Sequence, residues 1–127
     1  MSSTTNFDSA IDYFKLNFNK FVIFYKISYN QGIIESKLPD GSILFIRYNP
    51  YNEYSFNLIF SNIKYDRIRF DNFDDRWDVS SRPHHFHPRG TKYAFNSPMN
   101  GEPMHDLAIL NNLIEKQVLL NPDLRFK

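Results

Sequence analysis

Apolar positions recur along this chain with two different periods. Phe7, Ile11, Phe14 and Phe18 are spaced 4, 3 and 4 apart, which places them on one face of a helix. With Asp8 or Ser9 as its cap, the spacing predicts a helix over 8–18. Residues 20–29 are nearly continuous aromatic and β-branched sequence, the composition of a strand buried on both faces. Turn signals then divide the chain at Asn30-Gln31-Gly32, at Pro39-Asp40-Gly41 and at Asn49-Pro50-Tyr51-Asn52. Between them lie strand-like runs at 33–38, 42–48 and 54–60. In the last of these, Tyr54, Phe56, Leu58 and Phe60 alternate with Ser55, Asn57 and Ile59. A fifth run, 63–71, sets Ile68 and Phe70 against Arg67 and Arg69. Periodicity is lost over 72–102. After Pro103, a helix-start residue, the stripe Met104, Leu107, Leu110, Ile114 and Val118 predicts a closing helix over 103–120. The tail from Asn121 shows no pattern.

Five strands joined at hairpin spacing imply an antiparallel meander. The expected fold is α+β: an antiparallel β-sheet of about five strands packed against an N-terminal and a C-terminal helix. With 127 residues, no internal repeat and no evident linker, the expectation is a single domain over 1–127.

Composition changes this picture in a few places. There is no cysteine, which excludes a disulfide framework, a thiol nucleophile and any Cys-based metal site. No apolar run approaches a membrane span of about 18 residues. The first residues lack a basic region followed by an apolar one, so a cytoplasmic address with no membrane partner is expected. Aromatic residues reach 17%, which with abundant Asn and Ile reads as the signature of an A/T-rich genome. Fifteen Lys and Arg against fourteen Asp and Glu give a net charge of +1, so any nucleic-acid binding must come from a local patch. That patch exists. From Arg82 to Lys92 the chain holds basic residues and three histidines, His84, His85 and His87, without a carboxylate.

This cluster suits metal-free RNA cleavage. Imidazole titrates near neutrality and can take and give a proton, while the planar fork of Arg holds phosphate oxygens. If the segment is extended, His85 and His87 share a face and His84 points away. His85 and His87 are then the acid–base pair. Arg69, Arg89, Lys92 and His84 are candidates for phosphate binding, and Tyr93 or Trp77 for base stacking. No cofactor is needed under this reading. A second reading is a metal site, with Asp78 or His105 joining His85 and His87 as third ligand. Asp74, Asp75 and Asp78 form a weaker metal candidate. A third reading is solvated loop histidines on a non-enzymatic binding module. Phosphate-binding loops with glycine fingerprints and serine-hydrolase elbows are absent.

The order of features adds a resemblance. Leu38-Pro39-Asp40-Gly41, the aromatic strand from Tyr54, Arg69-Phe70-Asp71-Asn72, His84-His85-Phe86-His87, Tyr93-Ala94-Phe95 and a closing helix follow one another. Over roughly 35–119 this resembles the TumE-like family of small prokaryotic toxin components. Carried over residue by residue, the resemblance points to Asp71, Asn72, His85, His87 and Tyr93, with Trp77 and Asp78 in the charged stretch between the two motifs. Family members often carry Asp directly before the His-x-His unit. Here His84 stands there, preceded by Pro83, which removes the neighbouring carboxylate that would orient the first His. The resemblance implies a growth-inhibiting toxin neutralised by a helix-turn-helix antitoxin, with RNA as the expected substrate. It leaves a homodimer open.

Overall fold

The computed structural model describes residues 5–74 and 76–127. Helix α1 spans Asn6–Asn17 and is followed by a seven-stranded antiparallel meander. Its strands are β1 (Phe24–Ser28), β2 (Ile33–Lys37), β3 (Ile43–Tyr48), β4 (Tyr54–Ile59), β5 (Arg67–Asp71), β6 (His85–His87) and β7 (Phe95–Asn96). Helix α2 (Pro103–Glu115) and a single 3-10 turn, Val118–Leu120, follow. The strands pair in chain order, β1 to β7.

The register sorts every side chain to one of two faces. Ile34, Ile46, Phe56, Phe70 and Phe86 are successive cross-strand neighbours, and all five are fully buried. They form one core with Ala10, Ile11 and Phe14 of α1 and Leu107, Leu110 and Ile114 of α2. The helices therefore cover this face. Intervening residues, among them Arg67, Arg69, Asp71, His85 and His87, emerge on the other face.

Several expectations need correction. Thr5 caps α1, not Asp8 or Ser9. Its hydroxyl accepts from the Asp8 N–H, and the Asp8 carboxylate reaches back to the Thr5 N–H, a capping box. The first strand is only five residues long and half exposed, because it is a sheet edge with one neighbour. The sheet has seven strands, not five. β6 and β7 lie inside 72–102 and span three and two residues, too short for a period to register. α2 ends at Glu115 because Gln117 adopts a left-handed conformation (φ 59°), so Val118 falls outside the helix. Met104 is exposed, and Pro103 and Asp106 take the inward positions beside Leu107. The patternless tail is part of the core margin. Phe126 packs on Phe70 and Phe86 with ring centroids 5.9 and 5.1 Å away, and the Arg125 guanidinium lies 4.1 Å from the Phe95 ring centre.

One glycine is required by the meander. Gly32 (φ 66°) accepts a hydrogen bond from the Tyr48 N–H, and a Cβ there would lie 2.2 Å from the Tyr48 carbonyl oxygen.

Candidate functional site

The site is built from two short strands. In the β5–β6 register, Arg69 lies opposite His87 and Asp71 opposite His85. Directly opposed residues in an antiparallel pair have Cβ atoms about 4.5–5.5 Å apart, so four polar side chains are forced together on one face. Between them Phe70 and Phe86 stack on the other face with centroids 4.7 Å apart. The apolar pair anchors the strands and the polar quartet follows from alternation.

Residues 76–84 fold back over this face. Trp77 sets its ring edge-on to His87 at 5.4 Å and lies 6.2 Å from His85. The Ser80 N–H and hydroxyl donate to the Asn96 side-chain carbonyl, each at 3.0 Å, and the Ser97 N–H donates to Ser81 Oγ. These bonds pin the segment to β7. His85 and Asp71 are thereby buried, at 0% and 1% exposure, while His87 remains half-buried.

Each imidazole is oriented by a main-chain carbonyl. His85 Nδ1 donates to the Pro83 carbonyl at 3.0 Å, and His87 Nδ1 donates to the Lys92 carbonyl at 3.2 Å. A carbonyl only accepts, so both Nδ1 atoms carry protons and both Nε2 atoms face inward. His85 Nε2 lies directly against Asp71 Oδ1, and Asp71 Oδ2 is 3.1 Å from Arg69 Nε. Neither contact is an aligned hydrogen bond. Both carboxylate oxygens, Arg69 Nε and both Nε2 atoms are buried without a hydrogen-bond partner among the described residues. One ligand-type atom from each of Asp71, His85 and His87 lies within 4.8 Å of the other two. The carboxylate missing before the His-x-His unit is supplied from across the sheet.

His87 opens onto a cleft of about 410 Å³ lined by Lys64, Arg67, Arg69, Arg76 and Lys92, with Tyr65, Trp77 and Thr91. No carboxylate is among its described lining residues. Burial, and after it the Arg69 guanidinium, push the His87 pKa below its ordinary 6.5, while Asp71 pulls partly back. Arg76 is drawn toward Asp74 at 2.9 Å and lies over the Trp77 ring.

The remaining sequence candidates are placed elsewhere or play another part. His84 stands apart from His85 and His87. Its ring stacks on Tyr54 and its Nδ1 meets the Tyr54 hydroxyl at 3.0 Å, and burial lowers its pKa. Arg89 turns away from the cleft, binding Asp66 at 2.6 Å and lying over the Phe60 ring. Lys92 lines the cleft, whereas Tyr93 is exposed and is not among the lining residues. The Asn72 side chain accepts from the Tyr54 N–H at 2.9 Å and donates to the Asn52 carbonyl at 3.1 Å, tying the end of β5 to the β3–β4 turn. Asp78 is exposed, and neither it nor His105 joins the histidine pair. His105 is paired with Asp106 on α2 at 2.7 Å. Asp75 lies outside the described residues, so the Asp74–Asp75–Asp78 cluster is not described as a unit.

Asp106, missed by sequence reasoning, is fully buried and accepts the N–H groups of Asn100 and Gly101 at 2.9 and 2.8 Å. Its signal was an acidic residue in the first turn after a helix-starting proline. Among the described residues, no helix is long and apolar enough to cross a membrane.

The model of one family, described as Toxin TumE, matches residues 8–115. No curated protein and no solved structure matches the chain.

Proposed function

The chain belongs to the TumE toxin family and is a toxin component of a toxin–antitoxin system with an antitoxin partner; from that premise we propose that it acts by cutting RNA in the cleft beside His87. The observation that carries this reading is the cleft lining. Five cationic side chains surround a half-buried imidazole, with no carboxylate among the described lining residues. A phosphodiester backbone is the polyanion that such a groove suits. Arg67, Arg69 and Lys92 hold phosphate oxygens, and Trp77 offers a ring face or edge to a base. His87 is the catalytic residue: of the paired histidines it alone lines the cleft, and its ring faces the reacting phosphate. Its Nδ1 bond to the Lys92 carbonyl holds the ring in that orientation. His85 and Asp71 are positioning residues, because neither is exposed to a substrate.

The partner under this reading is a helix-turn-helix antitoxin that neutralises the toxin. The test is incubation of the purified full-length chain with total RNA, beside His87→Ala and the double variant Arg67→Glu/Lys92→Glu. Discrete cleavage is expected from the wild type, with about 10²-fold less from His87→Ala. Absence of cleavage by a folded wild-type chain overturns the reading in favour of a toxin that inhibits by binding alone.

A further inference from the structure

We propose that Asp71, His85 and His87 form a binding site for one divalent first-row transition ion, open toward the basic cleft. Both Nδ1 atoms are committed to carbonyls, those of Pro83 and Lys92. A neutral His85 therefore points the Nε2 lone pair straight at a carboxylate oxygen of Asp71. Two acceptors in contact repel, and in a buried setting that repulsion is weakly screened. A cation shared by the two atoms removes that repulsion. A proton on His85 Nε2 would satisfy one pair of atoms and leave His87 Nε2 buried with no partner among the described residues. A metal ion satisfies all three at once.

The donor set agrees. Two imidazole nitrogens and one carboxylate are a three-ligand set that leaves coordination positions open, as catalytic sites require. The ligand atoms lie within 4.8 Å of one another. Bond lengths of about 2.0–2.2 Å set tetrahedral ligands roughly 3.4 Å apart, so His85 Nε2 and Asp71 Oδ1 must part while the widest-spaced ligand atoms draw in, adjustments that side-chain rotations supply. The surroundings are those of a ligated site. Each histidine donates its other ring nitrogen to a backbone carbonyl, which fixes ring and tautomer. Arg69 stands 3.1 Å from the second oxygen of Asp71, which frees the first for the ion. Two nitrogens disfavour Mg²⁺ and Ca²⁺, which seek oxygen. His87 is the ligand that lines the cleft, so the open positions face bound phosphate. In that place the ion would polarise a phosphoryl oxygen or activate a water. That last role rests on the RNA reading, whereas the ion's binding does not.

The experiment separates the two. The full-length chain is stripped with chelator, and Zn²⁺, Mn²⁺ and Co²⁺ are titrated by calorimetry, with metal content measured after gel filtration. One equivalent of ion per chain is expected, with a rise in the thermal midpoint. Co²⁺ should add visible absorption bands of a nitrogen–oxygen site. His87→Gln, at a half-buried position, should fold and lose at least about tenfold in affinity. Asp71→Asn should do the same, and His105→Gln should leave binding intact. No binding of any of the three ions overturns the proposal, as does equal binding by wild type and His87→Gln. Stoichiometric binding without RNA cleavage by the loaded chain keeps the metal site and sinks the RNA reading. Cleavage undiminished in the stripped chain, together with no binding of any of the three ions, does the reverse.

Discussion

Strands β5 and β6 have two faces that follow different rules. On one, Phe70 and Phe86 stack at 4.7 Å, and Phe126 completes the cluster. On the other, one residue along in each strand, Arg69, Asp71, His85 and His87 converge with buried atoms that lack partners. The first face has its groups matched, and its stability comes from apolar area removed from water. The second holds polar atoms that the protein leaves incompletely satisfied. Such conflict persists only when the rest of the structure over-determines it, which is why it marks function. The apolar face holds the strands in the register that brings these polar groups together. A slip of one residue would exchange the two.

The comparison predicts opposite outcomes for truncations on the two faces. Phe86→Ala should cost about 3–5 kcal/mol and lower the thermal midpoint by roughly 10–20 °C, seen by calorimetry, with toxicity lost through unfolding. His87→Ala should move stability by about 1 kcal/mol or less yet abolish toxicity in a growth assay. A His87→Ala chain that remains fully toxic would remove the site from the function.

A smaller effect probes a buried polar group that is satisfied. Asp106→Ala strips the acceptors from two main-chain N–H groups and should cost about 2–3 kcal/mol, measurable by urea unfolding. Toxicity at low temperature should survive, because Asp106 sits on α2, away from the cleft.

Arg67, which lines the cleft, and Arg89, the phosphate ligand expected from the sequence, should also separate. Arg67→Glu should weaken RNA binding and reduce its salt dependence by about one counterion, with stability unchanged. Arg89→Ala should leave RNA binding alone and loosen the Asp66 contact.

The smallest effect is one of pH. The Ser61 hydroxyl, and then Arg89, hold the Asp66 carboxyl below its ordinary 3.8. A depressed native pKa means that the unfolded chain binds this proton more readily. Its contribution is complete above about pH 4 and drains as pH falls through the native value. Arg89→Ala should therefore lower stability slightly at neutral pH and flatten the curve below about pH 4, where variant and wild type converge.

The local pattern along the chain determined a good deal. Phe7 to Phe18 at helical spacing, the alternation from Tyr54 to Phe60, and the turns at Pro39-Asp40-Gly41 and Asn49-Pro50 specify an α+β meander flanked by helices. Those signals are local, carried by period and turn chemistry within ten or so residues. His85 and His87 could be placed on one face by the same alternation. Their partners could not be derived that way. Asp71 was reached through the family motif, and its position opposite His85 depends on a register set 14 residues away. Asp78 and His105 were as eligible by residue type, and only the pairing of β5 with β6 excludes them from the cluster. Arg89 has the chemistry of a phosphate ligand, but Asp66 holds it elsewhere. β6 and β7 stayed hidden because strands of three and two residues carry no period, and the tail because one Phe and one Arg make no pattern until Phe70, Phe86 and Phe95 stand beside them. Periodicity reports which face a residue occupies, whereas which residues meet on that face is decided by long-range pairing that no local window contains.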